Sequence, residues 1–440
     1  MSALADLLAA QGKQVSGSDL SAQAVCRLTG RGIRAAVGHR AQQVGDAQLV
    51  VITAAAAADN PEIVEARRRG LPVLTHAQAL GDLMQARSGV AVAGTHGKTT
   101  TTAMLGYLLE QAGLDPTVLV GATALNFGSG ARLGRGPHLV AEADEYDRRF
   151  LALKPHLAII TGIEADHLDY FTDLDEIVGA FHAFVDRVAP DGVLVTAADD
   201  PVLAQLRLQR RRVSYGLAAQ ADWRTRDFRP LAGGGCEFSL VGPLGRSAVM
   251  LRLSGLHNAL NATGAVAAAC ELGVPFRGAA AALADFTGTE RRFETVWRSD
   301  NIWLVDDYAH HPTAVRATLA AARQVHSGRL WAVFQPHTAN RVAVFFEELA
   351  DSLRAADRVT VLPIYQPPGR EQNIPPISSA DLAAAVHGPD TSVARSLEDA
   401  ESELAAEVRP GDLVVVLGAG DVTRLSRGLA QRLASRPAGL

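Results

Sequence analysis

A glycine-rich turn followed by a lysine and four threonines carries the clearest chemistry in this sequence. An apolar stretch at 89–93 leads into GTHGKTTTT at 94–102. A strand, a glycine turn and a helix in this order direct backbone N–H groups toward a phosphate. Lys98, expected to be exposed in a cleft, would contact the β- and γ-phosphates, and Thr99 would contact Mg²⁺. The short GxxGK[ST] spacing predicts nucleotide binding, and an ordinary strand-to-helix turn is the alternative.

Two acidic clusters follow the next predicted strands of the same sheet. EADEYD at 142–147 gathers four acidic side chains, which repel one another unless a cation or buried pairing relieves them. At the carboxyl end of a parallel strand, a carboxylate of this cluster would suit Mg²⁺, although a solvated acidic turn would look the same. GIEADHLDYF at 162–171 offers His167 to a second metal or to a phosphate, with a structural histidine as the alternative.

Amides and arginines further along the chain are weaker candidates. HNALN at 257–261 opens a predicted helix, and its amides could pair with an adenine. Helix capping by Asn258 is the simpler interpretation of that motif taken alone. RRFE at 291–294 lies at a domain junction, where next to a nucleotide site its arginines would hold a phosphate or ribose.

The last third of the chain repeats one arrangement four times, with a polar cluster after each predicted strand. Ligands bind at the carboxyl edge of a doubly wound sheet, so four strand ends that agree predict a binding edge. Surface loops would explain any one cluster alone but not the coincidence. The clusters are DDYAHHPT at 306–313, FQPHTANR at 334–341, PIYQPPGRE at 363–371 and LGAGD at 417–421.

The elements that would position these residues alternate between helix and strand, which predicts an α/β fold with parallel sheets. We expect three domains. Residues 1–88 would be a Rossmann-like domain, 89–296 a central phosphate-loop domain, and 297–440 a second Rossmann-like domain. Within the central domain, the short alternating runs at 213–253 predict a small antiparallel flap.

Composition sets bounds on the function. The 440 residues are 48% hydrophobic and 20% charged, with a net charge of −5, so attraction to nucleic acid or anionic membranes is not expected. No apolar run reaches the roughly 18 residues of a transmembrane helix. The three cysteines (Cys26, Cys236 and Cys270) show neither metal nor disulfide spacing, which favours a cytoplasmic location.

Together and in this order, the motifs resemble the Mur ligase family. The resemblance extends from VSGSD at 15–19 to LGAGD, and AGTHGKTTTT, EADE, IEADHLD, HNALNA, RRFE, DDYAHHPT and FQPH each match a family pattern. It implies the use of ATP and Mg²⁺ to join L-alanine to the lactyl carboxylate of UDP-N-acetylmuramate through an acyl phosphate. The DDYAHHPT form favours the alanine-adding member. A tripeptide-recycling ligase is the nearest rival.

The resemblance also implies roles for individual residues. Thr99 and Glu142 would hold one Mg²⁺ and His167 the second, while Asn261 would read adenine and Arg292 would contact the nucleotide. The rest of the ATP site would be Gly94, Thr95, His96, Gly97, Lys98 and Thr100. Catalytic roles are implied for Lys98, His167, His310 and His337, and substrate contacts for Asp19, His39, His311 and Arg341.

The family pattern normally begins with a strand and a glycine-rich loop that cradles the UDP pyrophosphate. This sequence starts at a point that matches the end of that loop. We therefore expect the first domain to lack its central strand and the UDP loop, with an upstream start codon as the expected cause. A nucleotide-binding homologue without ligase activity is the non-enzymatic alternative.

Overall fold

The computed structural model describes residues 1–53, 56–206, 209–299, 302–367 and 375–435. It has an α/β fold whose strands form two large sheets and two small ones. The predicted fold class is confirmed, with parallel pairing throughout the centre of both large sheets. No helix within the described ranges is both long enough and apolar enough to cross a membrane.

The N-terminal region contains two separate parallel pairs, β1 with β2 and β3 with β4. Within the described residues no hydrogen bonds join the two pairs into one sheet. Helix α1 buries Leu4 and Leu7, and Leu7 belongs to the core of the central domain. The strands are β1 Ser16–Asp19, β2 Arg34–Val37, β3 Val50–Ile52 and β4 Val73–Thr75, and the helices are α1 Ser2–Ala10, α2 Ala22–Thr29, α3 Pro61–Arg68 and α4 His76–Gln85, with a 3-10 turn at Ala41–Val44.

The central sheet has ten strands in the order β14-β13-β12-β11-β10-β9-β5-β8-β6-β7. Its strands are β5 Ser88–Ala93, β6 Thr117–Ala124, β7 Ser129–Arg132, β8 His138–Glu142, β9 Leu157–Ile160, β10 Val193–Ala197, β11 Arg211–Gly216, β12 Trp223–Pro230, β13 Cys236–Gly242 and β14 Gly245–Leu251. Its helices are α5 Lys98–Gln111, α6 Leu174–Val185, α7 Pro201–Gln205, α8 Leu256–Glu271 and α9 Phe276–Ala282, with 3-10 segments at Tyr146–Ala152 and Leu283–Asp285.

Both faces of this central sheet are covered, as parallel sheets require. On one face α5 and α8 pack together over Val90, Val92 and Ile159. On the other, Phe150 stacks on Phe184 at 4.7 Å in a second core. The predicted antiparallel flap is formed by β12, β13 and β14, and it continues the sheet at one edge because β12 also pairs with β11.

The C-terminal sheet has six strands in the order β15-β16-β20-β17-β18-β19, and only β15 is antiparallel to its neighbour. Its strands are β15 Glu294–Arg298, β16 Ile302–Asp307, β17 Leu330–Phe334, β18 Arg358–Val361, β19 Asp390–Val393 and β20 Asp412–Leu417. Its helices are α10 Pro312–Val325, α11 Ala339–Val344, α12 Phe346–Leu353, α13 Ser379–Ala385, α14 Leu397–Glu407 and α15 Thr423–Ala434.

Candidate functional site

The phosphate loop at 94–97 joins the buried strand β5 to α5. Gly94 and Gly97 have φ angles of +127° and +82°, which favour glycine. A Cβ on Gly97 would lie 2.6 Å from Oδ1 of Asn261. Glycine is therefore needed both for the turn and for the close approach of α8, and Asn261 is held against the loop.

Lys98 is held inside the loop by an ion pair. Its Nζ donates to both carboxylate oxygens of Glu145 at 2.8 Å, and only 16% of its side chain is exposed. The expectation that Lys98 is exposed in the cleft is therefore wrong. The reason is that the Glu145 carboxylate, only 4% exposed, requires a counter-charge. Burial opposes the charge on Lys98, but Glu145 and nearby acids outweigh it and raise the pKa of Lys98.

Thr99 and Glu142 form an oxygen-lined pair at the start of α5. The Thr99 hydroxyl donates to Oε2 of Glu142 at 3.2 Å, while the N–H of Gly121 donates to Oε1. Burial raises the pKa of Glu142, so a cation there would relieve an unfavourable desolvation. A carboxylate facing a hydroxyl fits the oxygen preference of Mg²⁺.

His167 approaches the same acids from the loop after β9. Its Nε2 lies 4.0 Å from Oε1 of Glu145 and 3.9 Å from Oδ2 of Asp166. Its φ of +54° is unusual for a residue with a side chain, and its ring contacts that of Tyr146 at 4.9 Å. From this uncommon backbone conformation the imidazole lies between Asp166 and Glu145, the partner of Lys98.

Three consecutive residues of that loop, at 164–166, each contact the C-terminal domain. The contacts combine a hydroxyl, an imidazole and a guanidinium, so they tie the loop to two different segments of that domain. They are Thr313 Oγ1 to Glu164 at 2.7 Å, His311 Nε2 to the Ala165 carbonyl at 3.1 Å, and Arg341 Nη2 to Asp166 at 2.5 Å.

The Arg341–Asp166 pair is the best buried of these contacts, with side chains 10% and 8% exposed. Burial acts to raise the pKa of Asp166, but Arg341 and His167 hold it well below its usual range. Arg341 also lies 3.1 Å from Nδ1 of His337, whose ring is 5.5 Å from that of His310. Burial and Arg341 lower the pKa of His310 well below its usual value, which keeps the imidazole neutral.

The RRFE arginines connect the hinge to the loop. Arg292 reaches the hydroxyl of Thr99 at 3.4 Å and lies over the Tyr308 ring at 4.9 Å. Arg291 contacts the other side of the hinge through Asp306 at 3.4 Å and the same ring at 5.0 Å. Behind them, burial raises the pKa of Asp307 to about 6.

Two of the predicted substrate residues lie in the N-terminal region. Asp19 accepts the N–H of Ser21 at 2.8 Å, and Nδ1 of His39 lies 2.8 Å from the Ser18 hydroxyl. These bonds are local to that region. The predicted cluster at 363–371 falls partly outside the described residues, from 368 onward.

Sequence reasoning placed Glu145, Glu164 and Asp166 within the two acidic motifs but assigned none of them an individual role. Glu145 could have been suspected, because Lys98 needs a carboxylate partner and the EADE motif offers one on a neighbouring strand. Asp166 carried no such signal, because its partner Arg341 is 175 residues away in sequence. Only the fold brings them together.

A phosphate loop on a parallel sheet, facing the polar strand ends of a second parallel sheet, defines a nucleotide-dependent α/β enzyme built from several domains. Three family models match along the chain: the Mur ligase family catalytic domain at 1–88, the middle domain at 92–269 and the glutamate ligase domain at 291–420. The chain belongs to the Mur ligase family, as predicted.

Curated relatives and solved structures agree with this assignment. A UDP-N-acetylmuramate–L-alanine ligase from Syntrophotalea carbinolica is 41% identical, covering 99% of this chain and 96% of the relative. One from Solidesulfovibrio magneticus is 43% identical, covering 96% and 93%. The UDP-N-acetylmuramate-alanine ligase of Thermotoga maritima superposes with a TM-score of 0.83 at 28% identity, covering 99% and 96%, and a murein peptide ligase from Psychrobacter arcticus with 0.70 at 28%, covering 100% and 97%.

Proposed function

We propose that this enzyme joins L-alanine to the lactyl carboxylate of UDP-N-acetylmuramate at the expense of ATP, in peptidoglycan precursor synthesis. The carboxylate takes the γ-phosphoryl group, and the amine of alanine then displaces phosphate from the acyl phosphate. A carboxylate is a poor electrophile, so this activation supplies the leaving group that amide formation needs. The names of the 41–43% identical relatives support the choice of substrates.

One observation carries the proposal: the phosphate-loop domain and the C-terminal histidines meet across one cleft. On one side of the cleft, Lys98 binds Glu145, and His167 lies close to both Glu145 and Asp166. From the other side, Arg341 binds Asp166 at 2.5 Å. ATP and an amine bound to opposite sides would therefore both lie within reach of the same carboxylate, which takes the phosphoryl group from ATP and is then attacked by the amine. Such positioning supplies a large part of the rate of a two-substrate reaction.

Each residue then has a defined task. Lys98 would exchange Glu145 for the phosphates of ATP, and its charge would offset the repulsion between ATP and the incoming carboxylate. Arg292 would add a second positive charge from the hinge. Asn261 would read adenine. His310, neutral at pH 7, would orient the substrate by hydrogen bonds beside His337. His311 and Arg341 would face the substrate carboxylate and the amine of alanine.

Thr99 and Glu142 are the residues that would hold one Mg²⁺, and His167 would hold another. When bound, the ions would neutralise the negative charge on the phosphate oxygens during transfer of the γ-phosphoryl group. The remaining loop residues, Gly94 to Thr100, would present N–H groups to the phosphates. Asp19 and His39 would contact the uridine end of the substrate. The three domains would span residues 1–88, 89–296 and 297–440. We propose a cytoplasmic location, because ATP and a UDP-sugar would be its substrates.

The test is phosphate release, with one reactant omitted at a time. We expect release only when UDP-N-acetylmuramate, ATP and L-alanine are all present with Mg²⁺. No release at any alanine concentration would contradict the ligase and favour the homologue that binds nucleotide without ligating. ATP binding should be measured in parallel, because ATP binding without phosphate release would identify the homologue that binds nucleotide without ligating.

The tripeptide-recycling ligase remains the second candidate, because the murein peptide ligase has the same fold at a TM-score of 0.70. L-Alanyl-γ-D-glutamyl-meso-diaminopimelate would then be the better amine. We expect the ratio kcat/KM to be higher for free alanine. A preference for the tripeptide would transfer the assignment to the recycling enzyme while leaving the nucleotide chemistry unchanged.

A further inference from the structure

Two histidines and a glutamate from separate segments converge beside the phosphate loop. His96 lies in that loop, Glu164 follows β9, and His311 precedes α10. One ligand-type atom of each lies within 4.8 Å of the other two. Oε2 of Glu164 is 3.6 Å from Nε2 of His96 and 3.8 Å from Nδ1 of His311. These distances are longer than those of hydrogen bonds. They are close to the distance between two ligand atoms in a tetrahedral zinc site, which is about 3.4 Å when the Zn–N bonds are near 2.0–2.1 Å.

His96 presents an unsatisfied nitrogen to this space. Its Nε2 is buried and has no hydrogen-bond partner among the described residues. The ring lies 4.9 Å from that of His311, tilted by 47°. A buried polar atom without a partner is costly, so its position calls for an explanation. A cation between the two rings and Glu164 supplies one.

His311 already has the tautomer that a ligand needs. Its Nε2–H donates to the carbonyl of Ala165 at 3.1 Å, which leaves the lone pair on Nδ1. Metal-binding histidines are commonly oriented by such a carbonyl contact. Nδ1 also accepts a long bond of 3.4 Å from the N–H of Thr313, the contact that a cation would replace.

Glu164 is fixed by bonds that leave it able to bind a cation. Thr313 Oγ1 donates to its Oε2 at 2.7 Å, and its own N–H donates to Oγ1 of Thr95 at 2.9 Å. Thr95 precedes His96, so the backbone positions of these two ligands are linked. Two ligands are therefore preset in the central domain, and the third is contributed by the C-terminal domain.

We propose that His96, Glu164 and His311 bind a divalent cation of the Zn²⁺ class, with water as a fourth ligand, and that this cation clamps the C-terminal domain onto the central domain. Two imidazoles and one carboxylate favour Zn²⁺ or Co²⁺, whereas the oxygen pair Thr99 and Glu142 favours Mg²⁺. This cation site is distinct from the Thr99–Glu142 pair, although His96 belongs to the phosphate loop and His311 to the substrate side of the cleft.

Co²⁺ is the probe, because four- or five-coordinate Co²⁺ absorbs visible light far more strongly than the hydrated ion. The full-length protein, stripped with a chelator, is titrated with Co²⁺ in excess Mg²⁺. We expect strong absorption that saturates at one equivalent, and at least about tenfold weaker binding in Glu164→Gln and His311→Asn. Zn²⁺ should raise the thermal midpoint of the wild type but not of these variants.

His96→Asn keeps the test decisive if either variant fails to fold, because the Nε2 it removes makes no hydrogen bond within the described chain and only approaches Glu164 at 3.6 Å. The matched control is His156→Asn, since His156 lies 3.8 Å from Asp191 in an exposed pair and should leave Co²⁺ binding unchanged. Absence of the strong absorption, or equal Co²⁺ affinity in the wild type and His96→Asn, would overturn the proposal.

Discussion

Two parallel strand pairs in this molecule, β1 with β2 and β16 with β20, have the same pairing but very different surroundings. Every residue of β16 and β20 is buried, inside a six-stranded sheet covered on both faces. Most residues of β1 and β2 are exposed or half-buried, and this pair has no third strand in the described structure. Parallel pairs gain stability from neighbours and from cover on both faces.

The contrast separates the molecule into a firmly built reaction cleft and a weakly supported N-terminal region. The cleft depends on contacts between two domains with full cores. The region that would bind the uridine nucleotide depends on two short pairs and on α1, which packs against the central domain. We therefore expect substitutions of cleft residues to reduce activity most. We expect flexibility to be greatest in the N-terminal region.

The largest effect should come from Lys98→Met. The variant removes the cation that would meet the phosphates, so we expect kcat to fall by about 10³-fold, the scale of one preorganised contact to a transition state. Because Glu145 then loses its counter-charge, the thermal midpoint should be measured beside the rate. Lys154→Met is the control, since Lys154 contacts Gln85 on the exposed surface. Wild-type turnover in Lys98→Met would remove the phosphate-loop assignment.

Arg341→Ala should produce the next largest effect, on stability and on domain closure. It leaves the buried carboxylate of Asp166 without its partner, which costs about 3–5 kcal/mol in comparable buried pairs. Urea unfolding followed by intrinsic tryptophan fluorescence would measure it. Arg316→Ala breaks an exposed pair with Asp351 and should cost only about 0–1 kcal/mol. Equal losses in both variants would contradict the role of the buried pair.

Hydrogen exchange compares the two regions directly. We expect amides of β1 to β4 to exchange about 100-fold faster than those of β16 and β20, because few buried contacts oppose their local opening. Mass spectrometry of peptic fragments at one pH gives both rates from one sample. If the N-terminal strands were as well protected as β20, the contrast between the regions would not hold.

The smallest expected effect is a pH dependence from His257. Burial and then Arg292 lower its pKa to about 4 from 6.5, so the unfolded chain binds an extra proton between these values. Stability is then full above pH 6.5 and declines as the pH falls toward 4, by up to about 1.4 kcal/mol per pH unit. His257→Gln should flatten urea midpoints across this range. An unchanged slope would show that His257 has the same pKa in the folded and unfolded states, which would contradict this prediction.

Much of this architecture could be predicted from the sequence, because buried parallel strands are short apolar runs. The runs at β5, β8, β9 and β20 were found for that reason. Strand β19 was missed, because Asp390–Val393 is a mostly exposed edge strand without an apolar run. The segment RVAVFFEELADSL at 341–353 has the pattern of one helix, but the structure divides it between α11 and α12, with a turn at Phe345 that the apolar pattern does not reveal.

The site was predictable in its motifs but not in its pairings. Local spacing predicted a role for Lys98, and the family resemblance implied roles for Glu142 and His310. The contacts of Lys98 with Glu145 and of Asp166 with Arg341 depend instead on which strands become neighbours. The exposure of Lys98 was misjudged for the same reason. Pairings between distant segments follow from sheet order, and periodicity alone does not specify sheet order.

The central claim is that the substrate carboxylate is phosphorylated in this cleft before the amine attacks it. One isotope measurement tests this claim. UDP-N-acetylmuramate labelled with ¹⁸O in the lactyl carboxylate is turned over with ATP and L-alanine, and the released phosphate is analysed by mass spectrometry. We expect one labelled oxygen to appear in the phosphate, since the acyl phosphate is broken at its carbonyl carbon. Phosphate free of the label, with the amide still formed, would contradict the account.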